Sequence, residues 1–84
     1  MGIKIYTKPD CIFCVKAKSI LNEREIDYTE YVIEQDVPRD WVKNAYPTMH
    51  TAPVIVINNK LLGGYEELCE VCDDPTFGKV TLYG

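Results

Sequence analysis

Between Ile3 and Ile33 the hydrophobic pattern changes period twice, and this limits the folds open to the chain. In "IKIY" (Ile3–Tyr6), Ile3 and Ile5 share a face, the period-two signature of a β-strand. Pro9 and Asp10 interrupt it. From Ile12 to about Glu23 the period becomes helical. Phe13, Cys14, Ala17, Ile20 and Leu21 fall on one stripe, while Lys16, Lys18, Ser19, Asn22 and Glu23 fall elsewhere. The β-rich "DYTEYVI" (Asp27–Ile33) then reads as a second strand. The connection from Tyr6 to Tyr28 holds one helix and is long enough for a crossover, so the two strands are expected to be parallel. This is a βαβ unit. It places Cys11 and Cys14 at the carboxyl end of its first strand, where open α/β sheets usually carry their sites.

The remainder extends the alternation. "DVPRDWVKNAY" (Asp36–Tyr46) reads as a helix capped by Asp36, with Pro38 in its first turn and Trp41, Val42, Ala45 and Tyr46 on its apolar side. Pro47 ends it. "VIVI" (Val54–Ile57), Asn58-Asn59 and "KLL" (Lys60–Leu62) make a hairpin, because asparagine tolerates the positive φ of a tight two-residue turn. After Gly63-Gly64, "YEELCEVC" (Tyr65–Cys72) is a third helix with Leu68, Val71 and Cys72 inward. The order is β-α-β-α-β-β-α in an α/β fold. Its 84 residues are expected to form one domain spanning 1–84. In the tail, "KVTLY" reads either as a fifth edge strand or as loop.

Charge and hydropathy narrow the function classes. The net charge is −4, and no basic face is available to displace phosphate counterions, so no nucleic-acid partner is expected. No apolar run approaches the roughly 18 residues of a membrane span. "MGIKIY" lacks a signal-peptide layout, and Tyr6 stands where a myristoylation signal wants Ser or Thr. A cytoplasmic, membrane-free monomer is the expectation. In a reducing compartment standing disulfides are disfavoured, so the four cysteines, in two Cys-x-x-Cys pairs, point to metal binding or redox chemistry.

Cys11 stands at a helix start, where unpaired N–H groups and the dipole favour thiolate over thiol. Lys8 adds positive charge and Asp10 opposes it. The thiolate is the attacking species in thiol–disulfide exchange, and residues i and i+3 lie on neighbouring turns, so Cys14 can close a disulfide with Cys11. On this reading an exposed Cys11 attacks and a sheltered Cys14 resolves. Two competing readings are a zinc site built from both pairs and two cysteines that merely pack. Zinc ribbons space their halves by about 15–20 residues, whereas residues 15–68 intervene here.

Taken in order, "IKIYTK", Lys8 three residues before Cys11, C-I-F-C, "TAPVIVI" and "LLGGYEEL" resemble the glutaredoxins of the thioredoxin superfamily. The resemblance covers Ile3 to about Leu68. It implies a thioredoxin-like fold, with a four-stranded mixed sheet flanked by three helices. It also implies a dithiol oxidoreductase acting on protein disulfides and glutathione mixed disulfides. Glutathione would be the co-substrate, no cofactor would be tightly bound, and ribonucleotide reductase would be among the candidate protein partners. Thr51, Ala52 and Pro53 match the loop whose cis-proline faces the active cysteines. The amides of Gly64, Tyr65 and Glu66, opened by Gly63, would hold the γ-glutamyl carboxylate. Lys8, and less clearly Arg39, would meet the glycyl carboxylate, and Phe13 would supply an aromatic platform. The chain departs from the usual C-P-Y-C in Ile12 and Phe13, and carries Glu66 where aspartate is often found.

Two rival functions remain at this level. One is a glutaredoxin-like redoxin reduced by thioredoxin reductase and serving ribonucleotide reductase. The other is a zinc or iron–sulfur binding module. His50, the lone histidine, reads as a loop residue, and Trp41 and Met49 as packing residues. Cys69 and Cys72 sit late in a short helix among Glu66, Glu67, Glu70, Asp73 and Asp74. Both the dipole and these charges disfavour thiolate there, so the pair reads as slow and non-catalytic, with Cys72 inward and Cys69 more exposed.

Overall fold

The computed structural model describes residues 2–72. The elements follow the expected order: β1 (Ile3–Thr7), α1 (Ile12–Glu23), β2 (Thr29–Val32), α2 (Arg39–Ala45), β3 (Val54–Ile57), β4 (Lys60–Gly63) and α3 (Tyr65–Cys72). They build a four-stranded sheet in the order β2-β1-β3-β4. β1 runs parallel to β2, with Ile5 opposite Glu30 and Tyr6 opposite Tyr31. It runs antiparallel to β3, with Ile5 opposite Ile55, and β4 returns antiparallel to β3. The sheet is mixed, as expected. The proposed strand in "KVTLY" lies outside the described residues.

The central strands are buried on both faces, which is why "VIVI" reads as an unbroken apolar run. Alternation along β1 and β3 divides the core in two. Ile3, Ile5 and Ile55 join Ala17 and Leu21 of α1 and Leu68 and Cys72 of α3. Tyr6, Val54 and Val56 point the other way and meet Val42 of α2. Ile5, Leu21, Ile55 and Leu68 are completely buried, each contributing about 1.5–3 kcal/mol of transfer free energy. Asn58 and Asn59 have φ of 51° and 66°, the paired positive values of a tight hairpin turn.

The structure corrects several expectations. α2 begins at Arg39 with Pro38 as its N-cap, and Asp36 does not cap it. The Asp36 carboxylate instead accepts the Val32 amide at 2.7 Å, closing a turn after β2. Proline disfavours helical geometry in the residue before it, and Val37 accordingly pairs with Ile33 in a bridge rather than joining a helix. Trp41 is 49% exposed with its ring beside Tyr6, and Ala45 is exposed, so only Val42 of α2 is fully inward. Val71 is half-buried. Phe13 leaves the buried stripe and is 53% exposed, at the second position of α1 with its ring beside Tyr65.

Candidate active site

The loop from Lys8 to Asp10 carries the chain from the end of β1 into α1. Cys11 is the N-cap residue of that helix, in extended geometry, and its sulfur accepts the Cys14 amide at 3.2 Å. This is the place a Ser or Asp oxygen usually takes, satisfying one of the helix's orphan donors. The Cys11 thiol also donates to the Ala52 carbonyl at 3.7 Å. The sequence placed Cys11 in solvent, but only 9% of its surface is exposed, because the Ala52–Pro53 loop packs against it. The Ala52 carbonyl is engaged by that contact. The Ala52–Pro53 bond is cis, as expected.

Cys14 is more deeply placed, at 2% exposure. Burial pushes its thiol up to about 12, with the Cys11 contact adding to the rise, and with the Lys8 backbone amide first and the Lys18 ammonium second opposing it. The two sulfurs are therefore unequal. One is at the mouth of the site with a backbone donor aimed at it, and the other is a buried, firmly protonated thiol.

Along the Ala52–Pro53 loop that Cys11 touches opens a cleft of about 310 Å³, which neither Cys11 nor Cys14 lines. Thr51, Ala52 and Pro53 line one side, while Phe13 and Tyr65 form a wall with ring centroids 5.6 Å apart. Gly64 and Glu66 reach it from the start of α3. Gly63 does not line it. Gly63 has φ of +136°, and a Cβ there would run into the Glu67 side chain, so its part is to shape the loop. Lys8 is also absent from this cleft. It borders a second groove of about 390 Å³ with Arg39, His50, Thr51 and Ala52. Thr51 and Ala52 thus form a ridge with the helix start on one side and the cations on the other.

Glu67 is the residue the sequence reading missed here. Its carboxylate turns back to accept the Gly64 amide at 2.7 Å, occupying one of the three amides assigned to a ligand carboxylate. The signal was available, because Gly64 and Glu67 have the spacing of an N-cap and its reciprocal N3 partner. Met49, read as packing, lines both grooves. Cys72 lies in the core and Cys69 is half-buried, as expected, and contact with Cys69 raises the Tyr65 hydroxyl above its ordinary value. Among the described residues, no group of three or more His, Cys, Asp or Glu side chains is placed to hold a metal. Nor is any helix there long and apolar enough to cross a membrane.

Comparison with known proteins matches residues 3–62 to the glutaredoxin family model. Glutaredoxin 1 of Rickettsia bellii is 36% identical over 76 residues, covering 83% of this chain and 76% of that protein. Hybrid peroxiredoxin hyPrx5 of Haemophilus influenzae is 35% identical over 67 residues, covering 80% of this chain, which spans only 27% of that protein's length. The crystal structure of glutaredoxin 1 from Francisella tularensis superposes with a TM-score of 0.72 at 29% identity, covering 86% of this chain and 92% of the other. NrdH-redoxin from Escherichia coli superposes at 0.68 and 22% identity, covering 84% and 95%, and shows the shared thioredoxin-like fold alone. A family match over most of the chain and identity above a third to a relative of similar size place this chain in the glutaredoxin family of thiol–disulfide oxidoreductases.

Proposed function

We propose that the protein reduces protein disulfides and glutathione mixed disulfides, with glutathione as electron donor, through the Cys11/Cys14 dithiol. The observation that carries this reading is the Cys11 sulfur at the N-cap of α1, 3.2 Å from the Cys14 amide and 3.7 Å from the carbonyl of Ala52, a residue that lines the cleft. A thiolate forming there receives a charge-assisted hydrogen bond from that amide and the positive end of the helix dipole.

The Cys11 thiolate attacks one sulfur of the substrate disulfide. A Cys11–substrate bond forms, the substrate S–S bond breaks, and the departing thiolate takes a proton from solvent. Either Cys14 or free glutathione then attacks the mixed disulfide. When Cys14 does, the Cys11–Cys14 bond forms, the substrate leaves fully reduced, and the protein is oxidised by two electrons. Two molecules of glutathione return it to the dithiol and leave as glutathione disulfide.

The layout around Ala52 supports glutathione as the donor. An extended tripeptide laid across Ala52 pairs with that residue's backbone as with a strand edge. One carboxylate then points to the start of α3 and the other to Lys8 and Arg39. One observation favours a redoxin served by thioredoxin reductase instead, namely the Glu67 carboxylate already on the Gly64 amide, which competes with a ligand carboxylate. A coupled assay separates the two. Turnover of a mixed disulfide with glutathione and glutathione reductase, and a raised KM for glutathione in Lys8→Ala with little change in kcat, are expected. Turnover with thioredoxin reductase alone would transfer the assignment to the redoxin.

A further inference from the structure

Cys14 must ionise to resolve a mixed disulfide, and its surroundings make that difficult. Cys14 is 2% exposed, and burial pushes its thiol up to about 12, which keeps it protonated at neutral pH. The fold sets one anchored positive charge beside it. Lys18 follows Cys14 by four residues on α1, one turn along the same face. Its ammonium stands 3.0 Å from Glu30 Oε2, with both side chains only 30% exposed. The same oxygen accepts the Thr7 hydroxyl at 2.7 Å, and Thr7 is 3% exposed.

Strand register explains the arrangement. Glu30 is paired with Ile5, so its side chain shares the face of the sheet on which α1 packs, and Thr7 follows Ile5 on that face. A cleft of about 620 Å³ opens onto Thr7, Cys11, Cys14, Lys18 and Glu30 together. After the Lys8 backbone amide, the Lys18 ammonium draws the Cys14 thiol down, and the Glu30 hydrogen bond first, with Cys14 adding least, holds Lys18 up. Thr7 first, then Lys18, keep Glu30 below the usual carboxylate range, so the anchor stays charged through the neutral range. The other charged groups on this cleft are Lys8 and Asp10, from the loop before α1. Tyr28, next to β2, acts on Lys18. From the other side, α3 brings Leu68 and Cys72 to the core.

We propose that Lys18, fixed by Glu30 and Thr7, is a positioning residue for the resolving step, its ammonium stabilising the Cys14 thiolate as that sulfur attacks the mixed disulfide on Cys11. Cys14 gives its proton to solvent, the Cys14–Cys11 bond forms, the Cys11–substrate bond breaks, and the electron pair departs on the substrate thiolate, which takes up a proton from solvent. Without Lys18 the attack still occurs, from a scarcer thiolate.

The inference rests on the Cys11/Cys14 reading, and stopped-flow reaction of excess reduced protein with Ellman's reagent tests the two separately. Attack by Cys11 releases the first thionitrobenzoate and resolution by Cys14 the second. Cys11→Ser should remove both releases; if both persist, the dithiol reading itself fails. Each unit of rise in thiol value cuts thiolate about tenfold but raises its nucleophilicity, so Lys18→Met should slow the second release about three- to tenfold at pH 7. Its rate should still climb with pH, and the first release should change less than twofold. Lys18→Arg should restore the second release, and Lys18→Met/Glu30→Gln should stay slow. A second release unchanged in Lys18→Met overturns the proposal. So does its recovery in the double variant, because the slowing would then come from an orphaned carboxylate. Lys18→Gln serves for the same comparison should the methionine variant fail to fold in thermal melts.

Discussion

Cys11 and Cys14 are one helical turn apart yet differ in surroundings more than their spacing suggests. The Cys11 sulfur holds a backbone amide and touches a loop carbonyl, while the Cys14 sulfur is walled off from solvent. That inequality underlies the order of attack proposed above. Cys11→Ser should abolish reduction of every disulfide. Cys14→Ser should keep attacking a glutathione mixed disulfide, because free glutathione can resolve it, and should lose most activity on protein disulfides that need an internal thiol. Rates on the two substrate types check this, and mixed-disulfide activity retained by Cys11→Ser but lost by Cys14→Ser would reverse the roles. Both cysteines and their pairing were legible in the sequence, through the switch from strand to helix at Pro9-Asp10. The low exposure of Cys11 was not legible, because it comes from the Ala52–Pro53 loop, forty residues further along the chain.

At the scale of elements, the turn from β4 into α3 sets the far side of the cleft. Gly63 takes φ of +136°, a conformation closed to residues with a side chain, and the Glu67 side chain occupies the space a Cβ would need. Gly63→Ala should therefore destabilise the protein by about 1–3 kcal/mol. It should also push Glu67 off the Gly64 amide. Denaturant unfolding measures the first effect and the KM for glutathione reports the second. Unchanged stability would mean the turn relaxes at no cost. The extent of α2 was misread for a related reason. Asp36 and Pro38 are both good helix-start residues, and the sequence offers no way to know that the Asp36 carboxylate is already committed to the Val32 amide.

For the whole molecule, the Lys18–Glu30–Thr7 group ties α1 to both parallel strands. Glu30 is held below the ordinary carboxylate range, by the Thr7 hydroxyl first and Lys18 next. A carboxyl with a depressed folded value binds its proton less readily folded than unfolded. Its contribution to stability is therefore present above the unfolded value of about 4.3 and lost as pH falls through the lower folded one. Glu30→Gln should lower stability at neutral pH and flatten the fall in stability on the acid side. With the pair 30% exposed, the loss at pH 7 should be about 1 kcal/mol or less. Unfolding midpoints at neutral and acidic pH decide it, and an acid limb as steep as in the parent would remove Glu30 from the acid response.

By itself the sequence determined the order of elements, the parallel pairing of the first two strands, the hairpin at Asn58-Asn59 and the place of Cys11 at the start of α1. These follow from local periodicity, turn preference and short spacing, all of which act within a few residues. The tertiary structure alone decided which groups meet across the sheet. Glu30 reaches Lys18 and Thr7 because strand register puts its side chain under α1, and Phe13 turns outward to meet Tyr65 of α3. Such contacts join residues distant in the chain, and their partners depend on how the strands are aligned. No run of a few residues encodes that alignment.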